Sequence, residues 1–117
     1  MNCVTLIGRL VKDPELHTFT NGTSYVLGVV AIQYSNEKAE FIPFKAIGGV
    51  ADILVKHFAK GNRIGIQGEL KAQSIGEYKS SVIVEIKRVY FIDPKTTKNR
   101  VEIVENDDFS YYDNGGY

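Results

Sequence analysis

Apolar and polar residues alternate from residue 63 to residue 71, which predicts a strand with one dry and one wet face. The apolar parity carries Ile64, Ile66, Gly68 and Leu70. Glycine is a poor strand former, so Gly65 and Gly68 indicate a bulge, a sharp bend or a close approach of another backbone segment. A strand that bends at glycines and keeps one face dry is typical of a small closed barrel.

A short helix is predicted directly before this strand, because the apolar residues there fall on one helical face. They are Val50, Ile53, Leu54, His57 and Phe58. Lys60 and Gly61 are expected at the helix C-terminus, where a cation suits the dipole and glycine suits the left-handed C′ position. No acid or second histidine accompanies His57, so we interpret it as a packed core residue.

The first predicted strand has two faces of opposite residue parity. The parity expected inside the barrel carries Val4, Leu6, Gly8 and Leu10. The other parity is too apolar for a face in water, and it carries Cys3, Thr5, Ile7, Arg9 and Val11. A second subunit would cover this face, so Cys3, Thr5 and Ile7 are expected at an oligomer interface.

The third predicted strand, residues 39–47, also divides by parity. Its expected inner residues are Ile42, Phe44 and Ala46, and its outer residues are Phe41, Pro43, Lys45 and Ile47. An aromatic, a cation and an aliphatic side chain on one outward face suit base stacking and phosphate contacts. The alternative is an ordinary strand with a stray exposed phenylalanine.

The remaining strands complete a set of five. Asn21-Gly22 lies between two β-prone runs and predicts a hairpin turn in which both central residues take positive φ. The last strand is expected over residues 78–91, where the parity of Val82, Val84 and Ile86 opposes that of Ile83, Glu85 and Lys87. A single helix between the third and fourth of five strands is the layout of an OB-fold, so the predicted class is an all-β barrel of that type.

Asp93-Pro94 is expected to close a folded domain of residues 1–94. Apolar periodicity fades from residue 95 to residue 117, where Gly, Asn, Asp and Tyr prevail. This composition predicts a flexible, acidic C-terminal tail that carries four aromatic residues.

The net charge is zero, but the two signs are unevenly distributed. Residues 1–100 hold all 14 Lys and Arg and nine of the 14 acids, a net +5, whereas residues 101–117 hold five acids and no base. A basic body with an acidic tail is typical of a protein that binds a polyanion. A solvated surface with a frayed end is the alternative, and charge alone does not choose between them.

The composition argues against several classes of protein. No apolar run is long enough to span a membrane, and the first fifteen residues carry no evident signal peptide. The single cysteine, Cys3, fits a reducing cytoplasm and excludes an intrachain disulfide. With only His17 and His57 to accompany it, we expect no zinc site, and no cofactor motif is evident.

Several motifs resemble the family of bacterial and phage single-stranded DNA-binding proteins. Residues 2–16 are similar to the amino-terminal signature of that family, and further motifs recur in its order at Asn21-Gly22, residues 39–42, Lys60-Gly61 and residues 67–70. The resemblance covers residues 2–94. It implies an OB-fold subunit that assembles, usually as a homotetramer rather than a dimer, and wraps single-stranded DNA.

The resemblance also implies which residues contact the DNA. Phe41 occupies a stacking position of the family, Tyr34 lies close to another one near the end of the second strand, and Tyr78 matches an aromatic at the start of the last strand. Lys71 and Gln73 match the stretch that follows the DNA backbone, and Arg9 and Lys12 match basic positions of the first strand. Lys45 and Lys79 are expected in the same contact set. Ile47 and Ile75 occupy positions where the family commonly has aromatics, so two stacking platforms are weakened. The connectors at residues 35–38 and 74–77 are shorter than the DNA-wrapping loops of the family, so less wrapping is expected.

The acidic tail departs from the family pattern, which ends in acids followed by Pro-Phe. Here Asp107, Asp108 and Phe109 form an internal echo of that pattern, and the last residue is Tyr117. These residues are the expected docking positions for replication or repair proteins. The departures fit a phage, plasmid or accessory paralogue better than a principal housekeeping protein.

The favoured function is sequence-independent binding and protection of single-stranded DNA during replication, recombination or repair, in the cytoplasm on the nucleoid. Two alternatives stay open: an OB-fold accessory protein that bridges primosome proteins with weak DNA affinity, and an RNA-binding OB module. An enzyme is not expected, because the acids are scattered rather than clustered around a metal. Gly48-Gly49 also lacks the Lys-Ser/Thr of a phosphate-binding loop.

Overall fold

The computed structural model describes residues 1–74 and 80–93, which form one sheet and one helix. In chain order the elements are β1 (Val4–Leu10), β2 (His17–Thr18), β3 (Ser24–Gln33), β4 (Ala39–Ile47), α1 (Gly49–His57), β5 (Arg63–Ser74) and β6 (Ser80–Phe91). The predicted division of the chain at residue 94 stays a prediction.

The sheet closes on itself into a barrel. The strand order is β1-β5-β6-β4-β3-β2, and an additional pairing of β1 with β3 closes the ring. The β4–β6 pairing is parallel and the other pairings are antiparallel. Apart from the two-residue β2, five strands form the barrel, and α1 lies between the third and fourth of them. The predicted OB-fold is therefore confirmed.

The barrel interior is filled by the parities that the alternation predicts for β1 and β4. Leu10, Phe44 and Ala46 are buried, and Val4, Leu6 and Ile42 pack against the core. The Phe44 ring lies over Gly28, its cross-strand partner, where an added Cβ would come within 2.6 Å of the ring. The small residue at 28 therefore makes room for the large one at 44.

The predicted irregularity at Gly68 is a β-bulge. Gln67 pairs with Arg88 but Gly68 pairs with Ile86, so Lys87 is an extra residue on β6. A Cβ on Gly68 would overlap the carbonyl oxygen of Glu85, which requires glycine at this position.

The predicted dry face of β5 ends where β5 and β6 leave the barrel. Leu70, predicted on that dry face, is exposed. On β6, Val82 is exposed although Val84 and Ile86 of the same parity are buried, and Ile83, of the opposite parity, is also buried. On β5, the residues that pair with β1 run from Arg63 to Gly68. On β6, the described residues that pair with β4 are Val84 and Glu85. Past these points β5 and β6 form a two-stranded ribbon, so the barrel interior no longer separates the two parities.

The hairpin turn at Asn21-Gly22 also differs from the sequence prediction. At the hairpin, the Gly22 N–H donates to the Phe19 carbonyl, and Gly22 takes a φ of 93°. Asn21 does not share the positive φ, because the loop has the pattern of a type I turn followed by a left-handed glycine, which needs only one such residue.

The helix ends two residues earlier than predicted, with Phe58 rather than Lys60 as its C-cap. The helix ends at His57, and Phe58 is extended, with its ring buried and stacked on Phe91 at 4.8 Å between centroids. Packing of that ring directs the chain away from the helical path. Gly61, with a φ of 88°, instead belongs to the following turn, where its N–H donates to the Leu10 carbonyl.

Candidate nucleic-acid interface

One side of the β3–β4 pair faces away from the barrel, and we call it the outer β3–β4 face. On β4 it comprises Phe41, Pro43, Lys45 and Ile47, and on β3 it comprises their partners Ala31, Val29, Leu27 and Tyr25. Phe41 is 64% exposed, because the alternation that buries Phe44 turns it outward. Leu27 and Pro43 are also exposed, so this face presents apolar and aromatic surface to solvent.

A cation lies in the same cross-strand row as Phe41. Arg9 of β1 pairs with Ala31, which pairs in turn with Phe41. Neighbouring strands lie about 4.8 Å apart, so the Arg9 and Phe41 backbones are separated by roughly 10 Å. The Arg9 guanidinium donates one hydrogen bond to the Gly61 carbonyl oxygen at 2.9 Å, which anchors the side chain next to the turn that follows α1.

Four charged side chains of β5 and β6 form a second feature, which we call the lysine–glutamate cluster: Glu69, Lys71, Glu85 and Lys87. The two glutamates are direct cross-strand partners, an arrangement that repels unless cations intervene. Lys71 Nζ lies 3.3 Å from Glu69 and 4.0 Å from Glu85, and Lys87 Nζ lies 2.9 Å from Glu85. Lys45 joins the cluster to the outer β3–β4 face, because it pairs with Glu85 across β4 and β6.

The cluster lowers the pKa of Glu85. The hydrogen bond from Lys87 is the largest cause, burial opposes it, and the charges of Lys71 and Lys45 add to the lowering. The same hydrogen bond raises the pKa of Lys87. Glu85 therefore stays ionised and offsets part of the positive charge that its neighbours would otherwise offer to a phosphate.

An ion pair links the first residue of β5, Arg63, to Asp93, which follows β6. Asp93 accepts hydrogen bonds from the backbone N–H and the guanidinium of Arg63, both at 2.8 Å. Burial acts to raise the pKa of Asp93, but the two bonds and the charge of Arg63 outweigh it and lower that pKa. This pair joins the two ends of the β5–β6 segment.

The other predicted contact residues are spread around these features. Tyr34 is exposed just after β3, Lys12 is exposed just after β1, and Gln73 is exposed on β5 opposite Ser81. The predicted contacts Ile75, Tyr78 and Lys79 lie outside the described residues, as do the tail positions Asp107, Asp108, Phe109 and Tyr117.

The predicted oligomer residues lie on the outside of β1. Cys3, Thr5 and Ile7 are exposed, Ile7 by 48%. Along β1, only Arg9 and Leu10 have registered partners on β3, whereas Val4 to Arg9 pair with β5. Among the described strands, the first part of β1 is thus paired on one side only, and it combines an apolar outer surface with an unpaired backbone edge.

The described residues carry only a small excess of positive charge. The described residues carry ten Lys and Arg against eight acids, so most of the excess of +5 over residues 1–100 lies elsewhere. In the described part of the chain no three His, Cys, Asp or Glu side chains are grouped to hold a metal ion. Over the same residues no helix is long and apolar enough to cross a membrane.

Sequence reasoning missed the two acids of the lysine–glutamate cluster. Glu69 and Glu85 each stand in a strand of clear alternation, but their contact depends on the register between β5 and β6, which the bulge at Gly68 shifts. Alternating charges at Glu69, Lys71, Glu85 and Lys87 were the available signal, and they indicate ion pairs only when the two strands are set side by side.

Comparisons with known proteins agree on one family. The model of the single-strand binding protein family matches residues 1–92. A single-stranded DNA-binding protein of Fusobacterium nucleatum is 33% identical over 113 residues, covering 87% of this chain and 73% of that protein. One from Clostridium tetani is 40% identical over 80 residues, covering 63% of this chain and 55% of that protein.

A solved structure gives the same answer for the fold. A deletion variant of the single-stranded DNA-binding protein from Thermus aquaticus superposes with a TM-score of 0.69 at 25% identity, over 82% of this chain. The chain spans 43% of that protein, and 63% of a further similar protein from Clostridium perfringens. These relatives are therefore longer than the chain described above.

Proposed function

The chain belongs to the single-strand binding protein family, and on this premise we propose that it binds single-stranded DNA without reading its sequence. This family consists of DNA-binding proteins without enzymatic activity. The observation that carries the proposal is the outer β3–β4 face, where Phe41 is 64% exposed in one row with Arg9 and on the same strand face as Lys45.

The chemistry of this face suits a strand with unpaired bases. A base stacked on Phe41 removes exposed ring surface from water, and stacking of this kind contributes about 1–3 kcal/mol per base. The Phe41 ring accepts any base, because every base has a π face. Arg9 and Lys45 lie close enough to the ring to contact phosphates of the same strand, and Lys12, Lys71 and Gln73 extend the proposed contacts.

Electrostatics contribute less to this proposal than the charge count of residues 1–100 suggests. Lys71 and Lys87 already pair with glutamates, and the described residues carry an excess of only two positive charges. A phosphate must compete with Glu69 and Glu85 for these lysines. Stacking on Phe41 therefore supplies a large share of the affinity.

The proposal includes self-assembly, as a homotetramer rather than a dimer. Its support is the outside of β1, where Cys3, Thr5 and Ile7 are exposed beside a backbone edge that pairs with β5 alone among the described strands. A second copy of β1 would pair that edge and cover the apolar side chains together.

The proposed wider role is supported by the family membership and by the sequence of residues 101–117. The protein protects single-stranded DNA during replication, recombination or repair, in the cytoplasm on the nucleoid. Asp107, Asp108, Phe109 and Tyr117 dock replication or repair proteins, and residues 95–117 act as a separate tail. The departures from the family pattern favour a phage, plasmid or accessory paralogue.

Titration of fluorescently labelled oligo(dT) with wild type and Phe41→Ala tests the proposal. The variant should bind about 1–3 kcal/mol more weakly, because a stacking platform is removed. Val55→Ala is the matched control, since Val55 is an exposed apolar residue on α1. Equal affinities for all three proteins would contradict the assignment of the DNA-binding face.

A second candidate is an accessory protein that bridges replication proteins and binds DNA weakly. The neutralised lysines of the lysine–glutamate cluster favour it. Weak binding to oligo(dT) together with tight binding to a helicase or primase would support this candidate over the first.

A further inference from the structure

Three rings lie in contact on the outer surface where β2 meets β3. Tyr25 stacks on Phe19 with centroids 4.2 Å apart and planes at 23°, and on His17 at 5.3 Å and 30°. The hairpin brings them together, because His17 is the cross-strand partner of Tyr25 and the Phe19 N–H donates to the Thr23 carbonyl. We call His17, Phe19 and Tyr25 the hairpin aromatic stack.

The hairpin aromatic stack does not belong to the barrel core. Phe19 is 42% exposed, His17 is exposed and Tyr25 is half-buried, and none of the three is in the core cluster. Keeping apolar ring surface in water is unfavourable. The stack therefore presents ring surface that a flat apolar or aromatic ligand can cover.

The stack is continuous with the outer β3–β4 face. Tyr25 pairs directly with Ile47, and Lys45 and Phe41 follow on the same face of β4. At about 3.3 Å per residue, Ile47 and Phe41 are roughly 20 Å apart along the strand. Aromatic surface thus lies at both ends of this face, with a lysine between the ends.

We infer that the hairpin aromatic stack is a second base-stacking subsite for the same single strand that contacts Phe41. This inference rests on the proposed function. A strand held at two platforms 20 Å apart runs along β4, and its phosphates pass Lys45 on the way. The stack accepts any base for the same reason that Phe41 does.

A tryptophan reporter tests the subsite directly. The chain contains no tryptophan, so Phe19→Trp places a single reporter ring in the stack. Saturating oligo(dT) should quench its emission, whereas a tryptophan at Val55→Trp, on the exposed side of α1, should keep its emission. Saturation is established separately by the anisotropy of a labelled oligomer. Unchanged emission of Phe19→Trp at saturation would overturn the inference.

Affinity measurements separate base stacking from a purely structural role. Phe19→Leu should bind oligo(dT) about 5- to 150-fold more weakly, and Phe19→Tyr should bind like wild type. On an abasic oligomer of the same length, all three proteins should bind equally. An equal loss on the abasic oligomer, or wild-type affinity of a folded Phe19→Leu, would contradict the subsite.

The outcomes also separate this inference from the proposed function. No binding of oligo(dT) by the wild-type chain would refute the proposed function itself. Binding that depends on Phe41 but not on Phe19 would refute the subsite alone. Thermal melts establish that each variant is folded, and the tryptophan reporter decides the case if Phe19→Leu does not fold.

Discussion

Replacing Glu85 by glutamine should strengthen the binding of single-stranded DNA. Glu85 holds Lys87 at 2.9 Å and Lys71 at 4.0 Å, and it faces Lys45 across β4 and β6. Its lowered pKa keeps it ionised at neutral pH. Glu85→Gln removes the charge but keeps the side-chain shape, so at least one lysine becomes available to a phosphate.

The size of the gain follows from the salt dependence of binding. For single strands, each phosphate neutralised adds about −0.7 to the slope of log affinity against log salt, which is roughly a 5-fold difference between 0.1 M and 1 M salt. Glu85→Gln should therefore bind oligo(dT) about 5-fold more tightly at 0.1 M salt, steepen the slope by about 0.7, and lose its advantage towards 1 M.

Anisotropy titrations of labelled oligo(dT) at several salt concentrations measure both quantities. Asp52→Asn on α1 is the matched control, because it changes the net charge equally but lies in the first turn of the helix. Equal gains in the two variants would reduce the effect to net charge. An unchanged slope in Glu85→Gln would refute the reasoning that this acid competes with phosphate.

Four further predictions concern stability, assembly and the tail. Phe44→Ala should cost about 3–5 kcal/mol in free energy of unfolding, whereas Phe41→Ala should melt like wild type; the reverse order in thermal melts would invalidate the strand parity. Ile7→Lys should shift sedimentation towards smaller species, because it places a charge in the proposed subunit contact, and a wild-type monomer at micromolar concentration would count against that contact. Deleting residues 101–117 should raise affinity for oligo(dT) at low salt and leave it unchanged at high salt, where surface charges are screened; unchanged low-salt affinity would exclude competition by the tail. The lowered pKa of Asp93 contributes stability that is present above the ordinary Asp pKa of about 3.9 and is lost as the pH falls through the lower folded value, so Asp93→Asn should flatten the acid limb of a stability–pH curve; an acid limb as steep as that of wild type would show that this ion pair does not contribute to it.

Residue parity was sufficient for β1 and β4 because one side of each strand faces the barrel interior and the other side faces away from it. The outward Phe41 and the inward Phe44 follow from alternation alone, and so do the two faces of β1. The bulge at Gly68 could also be predicted, since glycine in a strand marks such irregularities.

The features that were predicted wrongly or missed depend on contacts between strands, which the residue pattern of one strand does not show. Leu70 and Val82 alternate like core residues but lie where β5 and β6 extend beyond the barrel. The Glu69–Glu85 contact requires the register between two strands, and the hairpin aromatic stack requires the turn that sets Phe19 beside Tyr25. These contacts depend on the register between two strands, which a Gly-containing strand such as β5 specifies only weakly.

Parallel titrations of oligo(dT) and of duplex DNA of the same length distinguish binding of single strands from binding of DNA in general. We predict tight binding of the single strand, a log–log salt slope of about −0.7 for each phosphate neutralised, and much weaker binding of the duplex, whose bases cannot reach Phe41. Equal affinity for the two DNAs would contradict the proposed preference for single strands.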